Sequence, residues 1–123
     1  MNTFPKAERL CSRRVIEKLY AEGHRCRVYP YSVQGIDAQS EVACQVMTVA
    51  PKRRFRHAVD RNRIKRLTRE CYRTRKQPLI DALGSQGRSI AVALVYIGAE
   101  MPEYHKLGQR MDKVIATLIE ANS

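Results

Sequence analysis

Residues 89–98 constrain the fold more than any other part of the chain, because they form an almost continuous run of apolar side chains. The run is far shorter than the roughly 20 apolar residues that cross a bilayer. It has instead the length and composition of a β-strand buried on both faces, which predicts a central place in a sheet. A chain of 123 residues has room for one core, so we predict a single domain over residues 1–123.

Amphipathic helices are predicted near both ends of the chain. Between residues 12 and 22 the apolar side chains fall on one helical stripe, and Gly23 follows at the position of a left-handed C-terminal cap. The last helix is predicted to begin near Pro102 and Glu103. Its apolar residues repeat at helical spacing and are expected to enter the core: Tyr104, Leu107, Met111, Val114, Ile115, Leu118 and Ile119.

The middle of the chain predicts two more strands and a third helix. Residues 27–36 and 41–50 are typical of strands, and the turn residues between them predict a hairpin. A helix is predicted over residues 58–76, closed by Pro78 and followed by a glycine-rich loop. Its core-facing stripe consists of Ile64, Leu67, Thr68, Cys71 and Tyr72. This order of elements predicts an α/β (α+β) two-layer sandwich with a small mixed sheet.

Positive charge is concentrated in one segment, residues 52–76. The whole chain carries a formal charge of +11, and this segment holds twelve of its 23 Lys and Arg residues but only two of its 12 acids, Asp60 and Glu70. An even spread of charge would indicate solubility alone, whereas a localised excess indicates a site for a polyanion.

The four cysteines and the amino terminus indicate the cellular compartment of the protein. The spacings of Cys11, Cys26, Cys44 and Cys71 fit no zinc pattern, so we expect free thiols, mostly buried, and no structural metal site. The first residues lack the basic-then-apolar order of a secretory signal, and no membrane span is present. We therefore expect a cytoplasmic protein in a reducing compartment.

Residues 61–67 carry the most specific motif, Arg-Asn-Arg-Ile-Lys-Arg-Leu, preceded by Ala58-Val59 and followed by Arg69-Glu70. This segment closely resembles the R-N-R signature of the protein subunit of bacterial ribonuclease P. The resemblance extends to the strand that ends in Lys52 and to the first helix, so it spans nearly the whole chain. It implies the element order αβββαβα, with the basic helix after the second or third strand.

Two features depart from the family pattern. The connection between Lys52 and Ala58 is longer than usual, and Arg56 stands where the family usually has Gly. In the first helix, Ile16 and Tyr20 occupy positions that are commonly Phe.

The chemistry of the basic segment agrees with RNA binding. Arg presents a planar fork that bonds two phosphate oxygens, and residues three apart on a helix share a face. An Asn amide both donates and accepts, so it suits a ribose hydroxyl or a base edge. The predicted RNA-binding residues are Lys52, Arg53, Arg54, Arg56, Arg61, Asn62, Arg63, Lys65, Arg66, Arg69 and Arg73.

The resemblance also implies a division of labour with a catalytic RNA. The RNA subunit would hydrolyse precursor tRNA and hold Mg²⁺, while the protein, one monomer per RNA, would bind that subunit and the 5′ leader without catalytic residues or a metal site of its own. Stacking on the leader requires exposed aromatic or apolar faces, and the candidate cleft residues are Ile16, Tyr20, Tyr31 and Phe55. The alternative for Tyr20 and Tyr31 is an ordinary place in the core or at its rim.

Two other functions remain open from the residues alone. A ribosomal or RNA-chaperone protein would use the same charge on a different RNA. A protein-only nuclease would use His57 as general base beside Arg56 and Arg61.

Overall fold

The computed structural model describes residues 4–122. In this range a short 3-10 turn at Lys6–Glu8 precedes eight elements: α1 (Arg13–Glu22), β1 (His24–Val28), β2 (Tyr31–Asp37), β3 (Cys44–Val49), α2 (Ala58–Arg75), α3 (Gln77–Ser85), β4 (Ile90–Tyr96) and α4 (Tyr104–Ala121). The strands form one sheet in the order β1-β2-β4-β3. Strands β3 and β4 pair in parallel and the other neighbouring strands of this sheet are antiparallel, so the sheet is mixed and the predicted α+β class is confirmed.

The apolar run is strand β4, and its predicted central place in the sheet is confirmed, with β2 and β3 as its neighbours. Residues 90–94 are at most 2% exposed. Because side chains alternate along a strand, Ile90, Val92 and Leu94 point to one face of the sheet, and Ala91 and Ala93 point to the other. The first group packs with α2, α3 and α4, which cover what we call the three-helix face. The second group packs against α1 on what we call the α1 face.

The three-helix face holds the main core. The predicted stripe of α2 is confirmed: Ile64, Thr68, Cys71 and Tyr72 are buried, and Leu67 is partly buried against them. Along α4 the buried apolar side chains begin at Leu107. Tyr104 lies one turn earlier and is 44% exposed, so its predicted place in the core is wrong.

The α1 face is covered by fewer residues. Leu19 of α1 is fully buried there, and the amide of Gln34 on β2 donates to the Leu19 carbonyl at 2.9 Å. Gly23 ends the helix with φ −65° and ψ 147°, which is extended backbone, so the predicted left-handed cap is wrong. Glycine is required for another reason: its N–H donates to the Leu19 carbonyl at 2.8 Å, and a Cβ would collide with that oxygen.

Three further predictions about the order and pairing of elements were wrong. Residues 27–36 are not one strand, because a turn at Tyr29 and cis-Pro30 divides them into β1 and β2, which form a hairpin. The predicted hairpin with residues 41–50 does not form, since β3 pairs in parallel with β4 instead of with β2. Pro78 does not end the helical region either: it lies in the first turn of α3, where proline is tolerated because its missing N–H would have no helical partner.

Candidate nucleic-acid interface

The basic loop of residues 52–57 is held at two points before α2 begins. Phe55 is only 8% exposed, and its ring packs on that of Tyr96 with 5.9 Å between centroids. The Arg61 side chain reaches back from the first turns of α2, where its Nη1 donates to the carbonyls of Phe55 at 2.8 Å and Arg56 at 2.9 Å. Four cations of the loop stay exposed to solvent: Lys52, Arg53, Arg54 and Arg56.

The outward side of α2 continues this positive surface. Asn62, Arg63 and Arg66 are exposed, and Lys65 and Arg69 are half-buried. Among residues 4–122, no salt bridge engages Arg63, Lys65, Arg66 or Arg69. Because the opposite side of the helix is fixed in the core, these side chains form a rigid cationic ridge that is available to an anion.

The last turns of α2 differ, because their cations pair with acids of the protein. Arg73 binds Glu70 in two-point fashion, and this hydrogen bonding lowers the pKa of the Glu70 carboxyl. Arg75 bridges to Asp112 of α4 at 3.2 Å. Lys76 is buried and lies 2.5 Å from Glu8 in the N-terminal segment. The last two pairs join the end of α2 to its neighbours. The first lies within α2, so Arg73 contributes less net charge to the surface than the residues before it.

The four predicted leader-cleft residues do not lie together. Ile16 is half-buried and Tyr20 is 49% exposed, and both are on α1. Tyr31 is fully buried on the three-helix face, where its hydroxyl hydrogen-bonds Thr68 at 2.8 Å. Phe55 lies in the same core. Burial leaves neither ring a face for a base, so we correct the predicted cleft to exclude Tyr31 and Phe55.

Two cations on the α1 face were missed by the sequence analysis. Arg25 and Arg27 are exposed on β1, opposite Gln34 and Ser32 of β2. Their neighbour Val28 packs into the core of the three-helix face, so alternation places both arginines on the α1 face. The period-two pattern of residues 24–28 was the available signal, but the predicted strand began only at residue 27.

His24, His57 and His105 are exposed and belong to different parts of the fold. Within residues 4–122, no cluster of three or more His, Cys, Asp or Glu side chains could hold a metal ion.

No helix in the described range is long and apolar enough to cross a membrane.

Solved structures with this fold include two bacterial proteins. The RNase P protein of Staphylococcus aureus superposes with a TM-score of 0.73 at 18% identity, over 91% of this chain and 95% of that one. The RNase P protein of Thermotoga maritima gives a TM-score of 0.70 at 17% identity, over 89% of this chain and 96% of that one. At these identities the comparison establishes the shared fold.

Sequence relatives establish the family. The Ribonuclease P protein component of Porphyromonas gingivalis is 37% identical over 110 residues, covering 88% of this chain and 80% of that protein. That of Chlorobium phaeobacteroides is 32% identical over 129 residues, covering 94% and 87%. The family model for Ribonuclease P matches residues 4–118. The chain therefore belongs to the ribonuclease P protein family.

Proposed function

We propose that this protein binds the RNA subunit of ribonuclease P through the basic loop and the outward side of α2. The observation that carries the proposal is the row of cations on a rigid helix without acidic partners among the described residues. Phosphates neutralise such a row and release their counterions, which is the main source of affinity for nucleic acids. Asn62 adds a group that can distinguish a ribose or base edge from a phosphate.

We further propose that the α1 face binds the 5′ leader of precursor tRNA. Tyr20 offers an exposed aromatic ring there, with the half-buried Ile16 one turn before it. Arg25 and Arg27 supply positive charge on the same face. An aromatic platform beside cations binds single strands with little sequence preference, which suits leaders of varied sequence.

The RNA subunit is proposed to carry out the hydrolysis and to hold Mg²⁺ through its phosphates. Support comes from the chemistry of the candidate interface, whose Arg, Lys and Asn side chains donate hydrogen bonds to phosphate. A Mg²⁺ ion prefers oxygen ligands, which RNA phosphates provide.

An assay of leader removal, with and without the cognate RNA subunit, tests this proposal against the two rivals. We expect cleavage by the RNA at low Mg²⁺ to increase when the protein is added, and the protein alone to cleave nothing. A protein-only nuclease would cleave without the RNA. A ribosomal or RNA-chaperone protein would leave the rate of leader removal unchanged, which would contradict the proposal.

A further inference from the structure

We propose that Arg61 is a positioning residue that holds the basic loop in shape for RNA, and that it is not itself a main phosphate ligand. This inference rests on the proposed binding of the RNA subunit. The two arginines of the R-N-R motif then have different roles. Arg63 is exposed and makes no salt bridge among the described residues, whereas Arg61 is partly buried and bound to the loop.

The geometry assigns this role. The two acceptors of Arg61 are consecutive backbone carbonyls, those of Phe55 and Arg56, just before His57, the N-cap residue of α2. Both bonds come from one terminal nitrogen, Nη1, at 2.8 and 2.9 Å. The side chain therefore ties the helix to the segment that enters it, and one of its two terminal amino groups is occupied.

The loop needs such a tie because of its own charge. Its four exposed cations repel one another, which favours an expanded and variable loop in the free protein. A cation near a helix N-terminus is itself unfavourable, because the helix dipole places partial positive charge there. Two carbonyl acceptors offset that cost for Arg61. Preorganising the loop in this way lowers the conformational entropy lost on binding RNA.

Hydrogen exchange in the free protein tests the tie without any RNA. The amides of Arg54 and Phe55 both donate to the Pro51 carbonyl at 3.2 Å and report on the order of the loop. We expect their exchange to be about tenfold faster in Arg61→Ala and in Arg61→Lys, since lysine keeps the charge but its terminal nitrogen reaches less far and it has no planar fork. The matched control Arg63→Ala should leave these rates within about twofold of wild type. Unchanged exchange in both Arg61 variants, with circular dichroism showing a native fold, would overturn the proposal.

A double-mutant cycle on RNA-subunit affinity tests whether the loop transmits the effect of Arg61. Arg54→Ala should weaken binding clearly in wild type and at least about threefold less in the Arg61→Ala background, because the loop no longer presents that cation. Arg54→Ala combined with Arg63→Ala should be additive. Additivity in both pairs would make Arg61 an independent phosphate ligand. Failure of the wild-type protein to bind the RNA would instead refute the proposed function, while the exchange rates decide separately whether Arg61 holds the loop.

Discussion

Two tyrosines show how burial assigns residues of one type to different tasks. Tyr31 is fully buried, and its hydroxyl and that of Thr68 satisfy each other at 2.8 Å inside the core. Burial also raises the pKa of Tyr31 far above its ordinary value, because the charged form would lose its hydration. Tyr20 is 49% exposed and contributes little to the core. Tyr31 thus contributes to the stability of the core, and the exposed ring of Tyr20 is accessible to a ligand.

Paired substitutions should separate these tasks. Tyr31→Phe leaves the Thr68 hydroxyl without this partner and should lower the free energy of unfolding by about 1 kcal/mol, with leader affinity unchanged. Tyr20→Ala should keep the stability within about 0.5 kcal/mol but weaken binding of leader-bearing tRNA by about tenfold or more, the value of one stacked base. Urea denaturation and binding of precursor tRNA with and without a leader provide the two measurements. A loss of leader affinity in Tyr31→Phe would return that residue to the cleft.

His57 gives a residue-scale test of where catalysis resides. It is exposed at the N-cap of α2, and its side chain makes no capping hydrogen bond. A general base contributes about 10² to 10⁴ in rate, whereas one lost surface contact costs about tenfold or less. We expect His57→Ala to change single-turnover cleavage by the saturated complex by less than about tenfold. A hundredfold slower chemical step with intact substrate affinity would place catalysis on the protein.

Helix α2 divides along its length into a part that faces solvent and a part that joins the fold. Arg63 and Arg66 lie on its exposed side, whereas Arg75 and Lys76 at its end bridge to Asp112 and Glu8. An arginine or lysine thus indicates an RNA contact only where its charge is not already paired with an acidic side chain of the protein.

Substitutions at the two ends of α2 should therefore affect different properties, RNA affinity in one case and stability in the other. Arg63→Ala should weaken RNA-subunit affinity while leaving stability nearly unchanged. Lys76→Met should leave that affinity unchanged but reduce stability by about 1 to 3 kcal/mol, because the largely buried Glu8 loses its partner 2.5 Å away. Filter binding and thermal unfolding measure the two quantities. Equal losses of RNA affinity in both variants would show that the whole basic segment acts through its net charge.

The salt dependence of binding tests the α2 ridge and the loop as one surface. If about six cations meet phosphates, raising the salt from 50 to 200 mM should weaken RNA-subunit binding by about a thousandfold. Titrations at several salt concentrations give the slope. An affinity nearly independent of salt would rule out phosphate contacts as its source.

Periodicity explains which elements the sequence could predict. The stripes of α2 and α4 and the apolar run of β4 are local patterns, and the structure confirms all three elements. Helix α3 was missed because Pro78 was interpreted as an ending, although proline also fits the first turn of a helix. The pairing of β3 with β4 was missed because α2 and α3 separate the two strands in the chain, and no local pattern encodes that partner.

The sequence predicted the positive charge of the candidate site, but it did not predict which side chains are buried or how the loop is held. Arg63 and Arg66 were expected on the solvent side of a helix, and they lie there. Tyr31 was assigned to the leader cleft because an aromatic ring can stack on a base, and alternation along a strand does not tell which of its two faces is covered. The bonds from Arg61 to the loop carbonyls depend on the path of the loop, which residue types alone do not determine.

At the scale of the whole molecule, a buried core with titratable side chains lies between the sheet and the three helices α2, α3 and α4. Burial raises the pKa of the Cys44 thiol to about 11 and that of Tyr96 to about 12. The pKa values of Cys71, Tyr31 and Tyr72 are raised as well, each chiefly by loss of hydration. All five groups lie in the core of the three-helix face, so their ionisation is coupled to the folding of the domain as a unit.

This coupling predicts a loss of stability in alkali that begins near the pKa of an exposed thiol. The folded protein keeps the Cys44 proton up to about pH 11, whereas the unfolded chain releases it near the ordinary value of 9.0. Between these values the unfolded state binds fewer protons, so the free energy of unfolding falls as pH rises, by about 1 kcal/mol per pH unit for one such group. Below pH 8 the full contribution of the protonated Cys44 thiol to the free energy of unfolding is present.

Thermal unfolding in a thiol reductant between pH 7.5 and 9.5 measures the effect and stays below the range in which lysines lose most of their charge, near pH 10.4. We expect the Tm of the wild type to fall by about 4 °C per pH unit above pH 9 relative to its change below pH 8. Cys44→Ala should unfold at a lower temperature at every pH because of the lost packing, but with a shallower decline above pH 9, since one of the coupled protons is gone. Parallel curves for the two proteins would show that the thiol ionises alike in the folded and unfolded states, and would contradict its burial in the core of the three-helix face.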